Sequence, residues 1–260
     1  MLMDKVLRDC LPYSVFGVGG EGALQTAEFP PCLQKNRVHV WSACYRDLDL
    51  HCKVLSGITS REERFAATLF RNDADSRKYV LRHGLLRIIL GNYTHGDPQE
   101  LSFSTGKKGK PELVPHEGHA GVSFNLSHTS EMVIIGITRT QRIGVDIVRM
   151  DPSYHYHDIA EYILTPAEKA FMRRIEPARK FQAFFRIWAL KEAILKTTGE
   201  TLSGMKDTDT SDLIQEHSFP CGSLKFRKSL PPFFVWQFRN GPDHCCAVAV
   251  ETGSGSPNAG

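Results

Sequence analysis

Residues 178–199 read ARKFQAFFRIWALKEAILKTTG. Wound at 3.6 residues per turn, Phe181, Phe184, Phe185, Ile187, Leu190 and Leu195 make this stretch apolar on nearly every side. A helix of that character belongs in an interior. Pro177 precedes it and Gly199 ends it, so the helix is expected over roughly 178–198. Trp188, Glu192 and Lys196 then fall at successive four-residue steps and share one face. A solvated Glu–Lys pair is worth a few tenths of a kcal/mol. Trp188 on the same face argues for something else, either a structural ion pair or a site.

A second stretch raises a related question. Residues 143–150, IGVDIVRM, read as a buried strand into which one carboxylate, Asp146, is set. Alternation along a strand puts Asp146 and Val148 on one side and Val145 and Ile147 on the other. Asp146 either caps a strand end or pairs with a lysine, or it meets Glu192. Two converging carboxylates repel unless a cation sits between them. A hard cation such as Mg²⁺ takes one or two carboxylates together with waters and phosphate oxygens.

The rest of the chain reads as two halves of similar grammar. Residues 1–36, rich in Gly and Pro, suggest an irregular lead-in. RVHVWSACY (37–45) alternates as a strand. Ser60 with Glu63 forms a capping box, so a helix starts near Arg61. NDADS breaks it, and a longer helix runs to about Leu90 with Gly91 as its stop. LSFST and EMVIIGIT are strands, and Ser127 and His128 fall in a polar turn between strands. In the second half, Thr165 and Glu168 make another capping box around Pro166, followed by the long helix. SLKFRK, FFVWQFR and HCCAVAVE complete it as antiparallel strands. Strand, helices and strands, twice over, predict an α+β protein of two similar lobes. Their bounds are 37–142 and 143–251, with a flexible tail at 252–260.

Composition narrows the class. A chain of 260 residues, 41% hydrophobic and 23% charged, is ordinary for a soluble globular protein with a real core. A net charge of +3 suits a phosphate-bearing ligand but falls short of a nucleic-acid footprint. No apolar run reaches the ~20 residues of a membrane span, and the start lacks a signal-peptide core. Seven cysteines without a Cys-x-x-Cys pair read as free thiols in a reducing cytoplasm. His51-Cys52 and His244-Cys245 match no standard zinc spacing. GKKGKP (106–111) carries Lys107, Lys108 and Lys110 on a glycine-bearing loop without being a Walker loop. Arg64, Arg77 and Lys78 add positive charge near the helices of the first half.

Together, Gly-Lys-Pro (109–111), Phe-Asn-Leu-Ser-His (124–128), Gly-Val-Asp-Ile (144–147) and Trp-Ala-Leu-Lys-Glu-x-x-x-Lys (188–196) closely resemble the 4′-phosphopantetheinyl transferase superfamily. The resemblance is to the Sfp-type, a single-chain pseudodimer, and runs from about residue 37 to 250. It implies a pseudo-twofold fold with the site in the cleft between lobes. It implies an enzyme that moves the 4′-phosphopantetheine group of coenzyme A onto a serine of an acyl, peptidyl or aryl carrier protein, releasing adenosine 3′,5′-bisphosphate. On this resemblance Asp146 and Glu192 hold Mg²⁺ against the pyrophosphate. Lys196 contacts the phosphates and, with Glu192, is a candidate for moving the proton. Ser127 and His128 resemble the recognition point for the 3′-phosphate, with Asn125 beside them. Lys110 and Lys108 match a phosphate-contacting segment, and Arg64, together with Arg77, would reach the nucleotide.

Many members carry Gly-x-Asp-x-Glu, whereas here Val148 stands in place of the last carboxylate, as an apolar residue does in animal-type members. Weaker Mg²⁺ binding is the expected consequence, with water or a polar group from Thr129–Glu131 filling the gap. The chain is expected to be a cytoplasmic monomer that binds neither membrane nor nucleic acid. A non-catalytic module that binds coenzyme A or carrier proteins on the same fold is the alternative.

Overall fold

The computed structural model describes residues 13–17, 22–23, 33–106, 109–115, 121–139, 141–200, 202–214, 221–224 and 232–252. Two antiparallel sheets carry the fold. The first contains β1 (Tyr13–Gly17), β2 (Gly22–Ala23), β3 (Arg37–Cys44), β6 (Ser123–His128) and β7 (Met132–Thr138), in the order β2-β1-β3-β7-β6. The second contains β8 (Ile143–Arg149), β9 (Cys221–Leu224), β10 (Phe233–Arg239) and β11 (His244–Glu251), in the order β8-β11-β10-β9. A separate hairpin joins β4 (Phe103–Thr105) to β5 (Pro111–Leu113).

The side-chain period of two assigns each strand's residues to layers. Val38, Val40 and Ile134 of the first sheet pack against Ile143, Val145, Ile147, Trp236 and Val248 of the second, so the sheets share an apolar core. Trp41, Ala43, Val133 and Ile135 point the other way, onto the helices of the first half. Those are α1 (Tyr45–Asp49), α2 (Cys52–Ile58), α3 (Arg61–Thr68) and α4 (Asp73–Thr94). The second sheet's outer face, with Val235, Cys245, Ala247 and Ala249, is covered by α5 (His157–Ile163), α6 (Pro166–Arg174) and α7 (Pro177–Thr198). The all-round apolar helix is thus α7, whose Phe184, Ile187, Leu190 and Ile194 are fully buried. Each such side chain contributes about 1.5–3 kcal/mol on burial. Among the described residues no helix is long and apolar enough to cross a membrane.

Both capping boxes form: Ser60 and Glu63 open α3, and Thr165 and Glu168 open α6. Gly199 ends α7 in the left-handed conformation. Three local expectations are corrected. Tyr13–Gly17 is a strand paired with β3 rather than irregular lead-in, because Tyr, Val and Phe favour a sheet. Gly91 does not stop α4, which runs on to a left-handed His95; a Cβ at Gly91 would meet Pro98 Cγ at 2.7 Å, so the glycine admits the returning chain. Ser127 and His128 lie on β6, and the turn follows them.

Candidate active site

The site forms where the edge strand of one sheet meets the edge strand of the other. No backbone ladder joins β6 to β8. Side chains stitch them instead: Val145 N donates to Asn125 Oδ1 at 2.8 Å and Ile147 N to Ser127 Oγ at 3.4 Å. On β6, Asn125 and Ser127 face β8, whereas Phe124 and Leu126 pack on the first-half core.

Asp146 points from β8 toward α7. What allows the helix to come so near is Gly144, since a Cβ there would sit 2.0 Å from Ala193 O and 2.6 Å from Thr197 N. Across that contact Lys196 Nζ donates to Asp146 Oδ1 at 2.6 Å and to Ser127 Oγ at 2.9 Å. Ser127 Oγ in turn donates to Asp146 Oδ1 at 2.9 Å. Burial raises the Glu192 carboxyl above the usual glutamate value, the charge of Asp146 raises it further, and Lys196 offsets part of this. Among the described residues no hydrogen bond holds the Glu192 carboxylate. Trp188, one turn earlier, packs edge-on against Phe184 at 5.9 Å.

Asp146, Ser127, Glu192 and Lys196 are therefore brought together. Asn125 stands beside them as a buried cross-sheet strut. His128 faces the opposite side from Ser127, and its imidazole pKa is lowered by burial and by the charges of Arg82 and Lys196. Three further positions lie elsewhere. Lys110 Nζ donates to Ile143 O at 2.6 Å and lines a cavity of about 440 Å³ with Arg142, Phe124, Thr197 and Thr198; burial holds its pKa at about 8. Arg77 pairs with Asp49 at 2.5 Å, and Arg64 donates to Thr59 O. Neither is hydrogen-bonded to the Asp146 group. Lys108 lies outside the described residues.

The turn expected to fill the space beside Val148 is committed otherwise. Glu131 pairs with Arg149 at 3.0 Å and lies 3.7 Å from His244. Thr129 Oγ1 accepts from Met132 N at 3.1 Å. Val148 itself packs on the apolar core of the second half.

Sequence reading passed over Arg82. It is 8% exposed, lies 4.7 Å from the Tyr79 ring centre, and has no carboxylate partner among the described residues. A buried guanidinium without a counter-ion is costly unless a ligand supplies one. Alternation of Arg77, Lys78 and Arg82 along α4 gave no local reason to prefer it. Close by, a cavity of about 780 Å³ is lined by Tyr79, His83, Arg87, Phe103 and Asn125. Burial would raise the Glu63 carboxyl on its wall, but His83 and Arg87 hold it at about 2.

Comparisons with known proteins bear on the family. A family model described as the 4′-phosphopantetheinyl transferase superfamily matches residues 142–249, nearly all of the second sheet together with α7. The 4′-phosphopantetheinyl transferase psf-1 of Bacillus pumilus is 30% identical over 179 residues, covering 64% of this chain and 73% of that protein. HetI of Nostoc sp., a 4′-phosphopantetheinyl transferase, is 28% identical over 177 residues, 68% of this chain and 75% of its own length. Sfp of Bacillus subtilis, of the same name, is 26% identical over 191 residues, 74% and 81% of the two chains. The chain belongs to the 4′-phosphopantetheinyl transferase superfamily. Within it, the chain is of the Sfp type, the group its relatives define.

Proposed function

We propose that this protein transfers the 4′-phosphopantetheine group of coenzyme A to a serine of a carrier protein. The observation that carries the reading is the convergence of Asp146, Glu192, Lys196 and Ser127 at the junction of the two sheets. Membership of the family supports it. We read residues 37–142 and 143–251 as two lobes of a pseudo-twofold fold with the site between them. The matching layers, a sheet covered by helices on its outer face in each half, support that division.

A divalent cation fits the donor set. Among the described residues no cluster of three or more metal-binding side chains exists. Two carboxylates do converge, one of them with a raised pKa and no hydrogen-bonded partner, which suits a hard cation that completes its shell with water and phosphate. Asp146 and Glu192 would hold Mg²⁺, which supplies neutralisation of the pyrophosphate charge. Lys196, His128 and Arg82 would bind phosphate oxygens, a reading supported by the mutual influence of their charges. The aromatic-walled cavity beside Tyr79 and Phe103 suits the adenosine.

The reaction makes few covalent demands on the protein. The carrier serine oxygen bonds to the β-phosphorus as the bond to the departing bisphosphate breaks. Positioning and charge neutralisation lower that barrier. The serine proton passes to Glu192, whose raised pKa brings it nearer to working pH. Lys196 is assigned the other role, since its ammonium already pairs with Asp146 and is set to neutralise the leaving phosphate. Coenzyme A and acidic carrier proteins are the partners, and a cytoplasmic monomer is the working state.

Intact-mass spectrometry of apo carrier proteins incubated with this protein, coenzyme A and Mg²⁺ tests the reading. A gain of one phosphopantetheine arm, absent in Glu192→Gln and when the carrier serine is replaced, is expected. Coenzyme A binding without a gain on any carrier would instead establish the non-catalytic module.

A further inference from the structure

One oxygen of Asp146, Oδ1, already accepts two hydrogen bonds, from the Lys196 ammonium at 2.6 Å and the Ser127 hydroxyl at 2.9 Å. Lys196 is thereby a tethered counter-ion. It sits one turn beyond Glu192 on α7, and Gly144 fixes the helix close enough for it to reach β8. With both carboxylates ionised, Asp146, Glu192 and Lys196 together carry one net negative charge. A free divalent ion entering this group makes the sum positive and leaves an ammonium only a few ångströms away, repelled and without a charged partner to itself. Around a half-buried group, such unbalanced charges interact strongly.

A pyrophosphate ester changes that balance. Its oxygens offer the ammonium a new acceptor at the moment the cation takes its place on Asp146. Each positive charge then keeps a negative neighbour, and the total returns to negative.

We propose that Lys196 excludes free divalent cations, so that the site takes its metal as the chelate of a pyrophosphate ester. This rests on the transferase reading for the identity of the ester, but not for the exchange on Asp146 itself. The proposal predicts joint loading: coenzyme A and metal enter together, and neither the bare ion nor a nucleotide without a pyrophosphate substitutes for the pair. Lys196 therefore decides which form of the donor is bound, in addition to touching its phosphates.

The test is direct binding of Mn²⁺, followed through the spin-resonance signal of the free ion. Wild type is expected to take up Mn²⁺ weakly by itself and tightly with coenzyme A, and adenosine 3′,5′-bisphosphate, which lacks the pyrophosphate, should not replace it. Lys196→Met keeps most of the apolar stem and removes the charge. It should bind Mn²⁺ alone about tenfold more tightly than wild type, the scale of losing one close positive charge. Lys196→Arg should stay weak, and Lys196→Met/Asp146→Asn should lose the gain. Unchanged thermal unfolding of Lys196→Met guards against a folding artefact. If Lys196→Met binds free Mn²⁺ no better than wild type, the proposal is overturned. If wild type modifies carriers and Lys196→Met still shows no gain, the proposal falls and the transferase reading stands. If Lys196→Met gains affinity and no carrier is modified, the reverse holds.

Discussion

Helix α7 supplies the lysines of two lysine–carboxylate pairs, Lys191 with Glu168 and Lys196 with Asp146, and the pairs are built for opposite ends. Lys191 Nζ lies 2.6 Å from Glu168 Oε2 with both side chains fully buried, and it also donates to Ile163 O and Met205 O. Glu168 in turn accepts from Thr165 N and from the backbone and hydroxyl of Thr210. Every polar group there is answered. Lys196 and Asp146 are 2.6 Å apart as well, but Lys196 is 29% exposed and Glu192 beside it is left without a hydrogen bond among the described residues. A saturated pair has no capacity for a ligand, whereas an unsaturated one at a sheet junction has. Sequence neighbours Lys191 and Glu192 thus turn to a saturated pair and to the proposed site because consecutive helix positions point about 100° apart.

Glu192→Gln probes the chemical pair most severely. It should lower kcat/KM for carrier modification by about 10²–10⁴-fold, the range for a lost proton acceptor, while urea unfolding shows a fold at least as stable as wild type. A variant that keeps activity within tenfold of wild type would remove Glu192 from the mechanism. Lys191→Met tests the other pair. It strands a buried carboxylate and should cost about 3–5 kcal/mol, a drop in Tm on the order of 10 °C. Its remaining folded fraction should keep a wild-type KM for coenzyme A. A Lys191 variant that unfolds normally but has a changed KM would erase the distinction drawn above. Gly144→Ala presses β8 away from α7 at Ala193 O, where no atom can yield easily. About 1–3 kcal/mol of stability should go, and activity should fall further than stability alone predicts, as Asp146 parts from Lys196.

The two pairs also differ in how far the sequence announced them. The site residues were legible because Trp188, Glu192 and Lys196 recur at helical spacing and Asp146 interrupts an apolar strand. Glu168 was legible only as half of a capping box, since a capping box is a local pattern. Its bond to Lys191 spans 23 positions and belongs to packing. Likewise, the Ser127-His128 pair reads as a turn. Its strand character comes from pairing with β7, and its hydrogen bonds to β8 come from tertiary contact. Loop lysines and helix arginines were the least legible, because charge alone does not say which way a side chain turns. Lys110 turns to Ile143 O and Arg77 to Asp49, while buried Arg82 was overlooked.

Val148→Glu would make the chemical pair more like a saturated cluster from the other direction. Val148 shares a strand face with Asp146 and pairs with Cys245 on β11, so a carboxylate there adds a third negative group near the proposed cation. The Mg²⁺ concentration for half-maximal carrier modification should fall several-fold, at about 1 kcal/mol of stability for placing a charge against the apolar core. Unchanged Mg²⁺ dependence would show that two carboxylates already complete the protein's share of the site.

The smallest expected effect is a stability difference that depends on pH. Burial and Asp146 raise the Glu192 carboxyl in the folded state above its unfolded value. Well below the ordinary glutamate range both states hold the proton and Glu192 costs nothing. As pH rises, the unfolded chain releases it first, so in that window the folded state binds more protons and its stability declines with pH until the folded carboxyl ionises too. Glu192→Gln removes this term. The variant should therefore exceed wild type in Tm at neutral pH, with the gap closing as pH falls to about 4. Lys191→Met should instead lie below wild type in Tm at neutral pH, because its deficit comes from a buried Glu168 left without its ammonium. A wild type that gains stability relative to Glu192→Gln as pH rises would mean that a cationic partner, rather than Asp146, dominates the surroundings of Glu192.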